Sequence, residues 1–284
     1  MTTDSSIAGI TYTAIMMVCL PLQIAILSIL WRKSEFQNST AYNIMIQMGI
    51  VDLIFMWSHL VSGIMSLCNS KIWLYLEIIA GSITAAGWIG MVGFALILAL
   101  NRFLVFSDNS TVTPSFYNKL KITVWILTAI CFIIYLLPGM WITYNLERNC
   151  WIIASGVISK TTTTAHMWMI FAMLLVEFGL TLGSVGAIVR KRTMFSTHFK
   201  VSSGEVKLFV QSVIIFLYLS GVRISMNFMS PLIKTTAGMI CFEVSVQLCG
   251  GVNAVLYLIF NKVLKICGST QVEALPLPVG ALEV

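Results

Sequence analysis

Asp52, His59, Glu77, Glu177, Arg223 and Glu243 are ionisable residues set inside long apolar stretches, and a further stretch closes on Asn101 and Arg102 side by side. A charge placed in hydrocarbon costs at least about 2.5 kcal/mol, so each of these groups needs a partner or a task. Catalysis is not that task. No Ser/His/Asp arrangement, metal-ligating His/Cys spacing or Gly-rich phosphate loop accompanies them, so the chain reads as a non-enzyme with neither cofactor nor metal. What the set suits is binding. A guanidinium keeps its proton and presents a rigid fork of donors, fit to hold helices together or to engage a partner's carbonyls.

The elements that must position these groups are membrane helices. The chain is 58% hydrophobic and only 10% charged, where a soluble domain has about a quarter of its residues charged. A bilayer core about 30 Å thick takes roughly 20 residues of helix. Apolar runs of that order occur at Ile7–Leu30, Ala41–Ser66, Ile72–Phe103, Ile122–Tyr144, Met167–Val189, Val206–Met229 and Thr236–Phe260. A β-barrel would need spans of about ten alternating residues and is excluded. The expectation is an all-α membrane protein, a seven-transmembrane helix bundle over residues 1–265. A short cytoplasmic tail without fixed structure follows at 266–284. The first apolar run exceeds the core of a signal peptide and should stay attached.

Orientation follows from the 17 Lys and Arg residues, because positive loops stay on the cytoplasmic side. Lys71, Arg148, Lys160 and Lys234 fall on one side, Arg223 lies within a span, and the others gather opposite, including Arg190, Lys191 and Arg192. This puts the N-terminus outside and the C-terminus in the cytosol. The sequons at Asn38 and Asn109 then face the cytosol, against their use as glycosylation sites. The net charge of +6 is this topological signal, with lipid and a cytosolic partner to receive it; nucleic acid is not a sensible partner. Of the cysteines outside the spans, Cys68 and Cys150 alone face the oxidising exterior, which predicts that they pair.

Within this frame Asp52 sits near the midplane of the second span, with His59 on the same face nearer the outside. Arg223 and Glu243 lie at similar depth in the sixth and seventh spans and are expected to pair. Glu77, Gly81, Thr84 and Trp88 recur at helical spacing along the third span. Arg102 falls on nearly the same face, so one inward stripe runs from the exterior to Arg102.

Seven spans, an arginine at the inner end of the third span and an aspartate midway along the second span together resemble the pattern of a G-protein-coupled receptor. More narrowly, "YNIMIQMGIVD" at 42–52, "LILALNRFL" at 96–104 and "NAVLYLIFNKVLK" at 253–265 resemble nematode serpentine chemoreceptors of class T, with class X a close alternative. The resemblance implies that Arg102 matches the arginine of the D-R-Y motif, with Asn101 in place of the acid and Phe103 in place of the tyrosine. The charged lock on that arginine must then be missing or made elsewhere. Asp52 matches the aspartate that holds a sodium ion or water network, with Asn253 beside it. Asn253 and Tyr257 keep the spacing of N-P-x-x-Y, with Ala254 where proline stands. The seventh span has no lysine, which excludes a retinal Schiff base like that of an opsin.

The function so implied is a chemosensory receptor of the plasma membrane, with sensory cilia as the expected site. A small molecule would enter from outside and settle near His59, Glu77, Glu177, Arg223 and Glu243. Asn101, Arg102, Tyr257, Arg190, Lys191 and Arg192 would engage a heterotrimeric G protein, and a second copy of the chain is a further candidate partner. The alternatives are a secondary transporter, disfavoured because no two related halves with broken helices are seen, and an odorant-gated channel, disfavoured by the charge asymmetry.

Overall fold

The structure is a computed structural model that describes residues 3–32, 34–107, 113–154, 156–194, 203–229 and 232–260. The tail with Cys267, the sequon residue Asn109, and Lys33 and Lys200 lie outside the described residues. Among the described residues, eight helices and two strands run in the order α1 (Thr3–Arg32), α2 (Ser34–Gln37), α3 (Thr40–Cys68), α4 (Leu74–Phe106), α5 (Pro114–Leu136), β1 (Ile142–Asn145), β2 (Cys150–Ile153), α6 (Val157–Met194), α7 (Ser203–Phe228) and α8 (Thr236–Phe260). All but the single turn α2 are long and apolar enough to cross a membrane. Apolar side chains such as Val18, Leu175, Leu217 and Ile259 stand on the outer surface, while Asp52, His59, Gln211 and Gln247 are buried. A helix that turns its large apolar side chains outward and its polar ones inward is solvated by lipid.

The centre of the bundle is α4, which packs on α3, α5, α6 and α7. Its stripe is buried along its length, from Glu77 through Gly81, Thr84 and Trp88 to Arg102. Toward the Arg102 end, α3 and α5 are joined by two polar contacts: Lys121 donates to Asn43 Oδ1, and Trp125 Nε1 donates to Gln47 Oε1 at 2.9 Å.

Two spans depart from their expected limits by about eight residues or more. The fourth begins at Pro114, whose missing N–H costs nothing in the first turn of a helix, and ends eight residues before Tyr144, at Leu136. Pro138 keeps Leu137 out of the helical region, and Gly139 at φ +81° takes a left-handed turn open to glycine. The apolar residues beyond it form a hairpin, with Ile142 facing Ile153 and Asn145 facing Cys150. Helix α6 begins ten residues before the expected Met167, at Val157. The polar run Thr161–Thr164 is helical and belongs to the first turns of that helix.

The hairpin lies over one end of the bundle and is fastened there by polar contacts. Glu77 Oε1 accepts the edge N–H of Tyr144 at 2.7 Å and pairs with Lys71 Nζ at 2.8 Å. Ser66 meets the Tyr144 hydroxyl at 2.7 Å and donates to Asn149 Oδ1 at 3.1 Å. Tyr12 of α1 donates to the Asn149 carbonyl at 3.1 Å. Gly81 makes the close approach possible, since a Cβ there would stand 2.2 Å from the Ile142 carbonyl oxygen.

Glu77 therefore serves as the clasp of the hairpin. Replacing it by Ala strands a buried N–H at a cost of about 1–3 kcal/mol and should lower the melting temperature of the purified protein by several degrees, with Glu77→Gln recovering much of the loss. An unchanged melting curve for Glu77→Ala would mean that other contacts hold the hairpin.

Candidate functional site

Under the hairpin is a cavity of about 380 Å³, within the range of small-molecule sites. Its roof is β2, from Cys150 to Ile153; its walls come from α3, α4, α6, α7 and α8. Besides the Cys150 thiol in the roof, three ionisable side chains line it: His59, Arg223 and Glu243. All are buried, Arg223 at 7% exposure and Glu243 at 5%.

Arg223 and Glu243 do not pair, contrary to the expectation from their depth. Glu243 Oε1 lies 3.5 Å from His59 Nδ1. The Arg223 guanidinium sits 5.3 Å above the Trp88 ring, and it donates only weakly, to the thioether sulfur of Met226 at 3.9 Å. Trp88 is edge-on to Phe55 at 6.1 Å and Phe55 edge-on to His59 at 4.5 Å, so an aromatic row links the cationic and acidic sides of the cavity. A guanidinium over an indole is held by the ring quadrupole while its donor edge stays available.

Of the other residues expected in the pocket, Glu77 clasps the hairpin instead. Glu177, buried in α6 at 1% exposure, is not among the residues lining this cavity. Sequence spacing missed Thr163, Thr164 and the roof residues. The run of four threonines was their one visible signal, a polar face at the start of an otherwise apolar helix.

At the opposite end, Arg102 is 2% exposed. Its Nη2 donates to Asn101 Oδ1 at 2.7 Å, and its Nη1 donates to Glu205 Oε2 in the first turn of α7. The lock on Arg102 is thus made elsewhere, by an acid that stands among basic neighbours in the sequence. Between the two ends Asn253 Nδ2 donates to Asp52 Oδ2 at 2.7 Å, tying α8 to α3. One carboxylate oxygen and one amide oxygen remain there. A hard cation takes about six oxygens, so this pair suits a water network better than an ion. Among the described residues no group of three His, Cys, Asp or Glu could hold a metal.

The family model described as serpentine type 7TM GPCR chemoreceptor Srt matches residues 1–268. The chain belongs to this family of receptors. The receptor also has the rhodopsin fold: the crystal structure of squid rhodopsin superposes with a TM-score of 0.77 at 12% identity, covering 96% of this chain and 82% of that one. No curated protein matches it. The receptor is a multi-pass protein of the plasma membrane.

In the receptor, Tyr257 is buried one turn past Asn253 on α8. Arg190 is exposed and Lys191 half-buried; both, with Arg192, continue α6 beyond its apolar part.

Cys68 and Cys150 are free in this structure, the first exposed and the second buried, and the bridge expected between them is not seen there. The Glu77 clasp and its neighbours do the tying. Burial pushes the Cys150 thiol up to about 12, with the nearby Glu243 charge adding to the effect and Arg148 opposing it. Only the thiolate reacts, so at pH 8 Cys150 should alkylate roughly a thousandfold more slowly than an ordinary thiol. Mass analysis of the folded, unreduced receptor should find Cys68 alkylated at once and Cys150 only after denaturation. Two sulfurs joined to each other would contradict this.

Proposed function

We propose that the receptor takes a small molecule from outside the cell into the cavity under the hairpin and signals through a heterotrimeric G protein at the Arg102 end. The hairpin end faces out in this reading, as the clustering of Lys and Arg at the other end requires. One observation carries it: α4 and α7 each supply residues to both ends. Helix α7 offers Arg223 to the cavity and Glu205 to Arg102, with about 27 Å of helix between them at 1.5 Å per residue. Helix α4 offers Thr84 to the cavity and, in Arg102, the other half of the ion pair.

A ligand that prefers one placement of α7 therefore changes how often Glu205 reaches Arg102. Differential affinity for the two placements is what moves the population. With Glu205 withdrawn, Arg102 and Asn101 are open to the carbonyls of a G-protein helix, and the basic run Arg190 to Arg192 at the end of α6 adds positive charge for the same partner. Asp52 and Asn253 couple α3 to α8 across the path, and Tyr257 lies between that pair and the crevice.

Removing each half of the ion pair should have opposite effects. Glu205→Gln weakens the closed arrangement and should raise ligand-independent signalling severalfold in a cell-based G-protein assay. Arg102→Ala removes the group the G protein engages and should abolish signalling at unchanged surface expression. Equal signalling from both variants would count against the reading.

A further inference from the structure

We infer that the ligand is a small organic anion with an apolar body, a monocarboxylate in its simplest form, whose carboxylate sits on Arg223. The inference rests on the reading of the cavity as the ligand site and gives that ligand a chemical class.

Of the charged or basic groups lining the cavity, Glu243 faces the His59 imidazole at 3.5 Å, with neither facing atom hydrogen-bonded, so it is the guanidinium, which keeps its proton, that most needs a counter-charge. Arg223 has no carboxylate within 4.0 Å among the described residues, its ring contact is Trp88, and its Nε has no hydrogen-bond partner among them. At 7% exposure, water outside the bundle cannot solvate it fully. Burying an ion without a partner costs several kcal/mol. A ligand carboxylate meets the guanidinium fork with two parallel hydrogen bonds, a geometry that neither an alcohol nor an amine can copy.

The remaining wall fits an apolar body. Met167, Met226 and Met239 line it with Phe242 and Val246, and unbranched thioethers adapt to chains of varied shape. A second cavity of about 570 Å³ shares Ile153, Thr163 and Thr164 with the first, and Lys160 is its one charged lining residue among those described. The way in through these shared residues thus begins at an exposed ammonium and leads to a buried guanidinium. A path lined by one sign of charge concentrates the opposite sign.

The test uses the full-length receptor in lipid nanodiscs. Thermal unfolding is followed with the straight-chain acids from butanoate to dodecanoate, and with the alcohols and amines of the same lengths. The inference expects saturable stabilisation by at least one acid, at concentrations at least about tenfold below those needed for the matched alcohol or amine. Arg223→Gln should erase that preference and Arg223→Lys should keep part of it, while Glu243→Gln, which removes a like charge from the cavity wall, should sharpen it. Should Arg223→Gln fail to fold, the Lys variant and the acid-against-alcohol ratio in the unaltered receptor still decide. An alcohol or amine that matches the acids, an acid effect that survives Arg223→Gln, or no shift from any acid overturns the inference.

A parallel G-protein assay separates this from the receptor reading. Acids that bind at Arg223 without signalling leave the inference intact and defeat coupling. Arg102-dependent signalling evoked by neutral compounds alone does the reverse.

Discussion

A guanidinium buried at the end of the central helix, answered by a carboxylate on another helix, is the constraint from which the rest of the arrangement follows. Arg102 is 2% exposed while Glu205 is 37% exposed. The arginine is thus committed to the bundle and the acid is only half committed. Losing a partner from a fully buried pair costs about 3–5 kcal/mol, and the water reaching Glu205 lowers that figure. Such a link favours one arrangement and, on the proposed reading, is weak enough for ligand binding at the far end to oppose it. Glu205 also lies in the first turn of α7, where the helix dipole favours an anion. Asn101 gives Arg102 a hydrogen bond without a second negative charge, so the interhelical partner carries the electrostatic load.

The other end is built on the opposite plan. The hairpin is tied to α1, α3 and α4 through Tyr12, Ser66 and Glu77, and Gly81 allows it to sit directly on α4. These ties leave α6 and α7 outside the clasp, and they are the helices that bring Thr163, Thr164, Arg223 and Met226 to the cavity. A roof fixed to α1, α3 and α4 over walls that α6, α7 and α8 share with α3 and α4 is a geometry in which, on the proposed reading, a ligand can shift one group of helices against the other. On that reading rigid helices would carry the shift to Glu205 without any intervening change of fold.

Much of this was legible in the sequence because bilayer physics writes it in composition. Seven apolar runs and a central stripe from Glu77 to Arg102 need no tertiary information, and the resemblance of "LILALNRFL" to serpentine chemoreceptors matches the family found. The hairpin was hidden because Met140–Tyr144 is as apolar as the helix before it, and hydropathy does not distinguish a buried strand from a span. Pro138 and Gly139 were the signal that the helix stops. The Arg223–Glu243 pairing failed for a different reason. Equal depth on neighbouring helices does not fix which way two side chains turn, and Trp88 and His59 offered each of them a nearer contact. Glu205 was missed because its loop reads as basic, and a single acid there acquires meaning only when α7 is laid beside α4.

Arg102 and Glu205 join the ends of α4 and α7. Spin labels at Val105 and Val206, both exposed, on a background with the exposed Cys68 and Cys241 replaced by serine, would report the separation of those ends by pulsed electron resonance. A single short distance in the unaltered pair, becoming longer and broader in Arg102→Gln, is the predicted result. Identical distance distributions in the two proteins would contradict it.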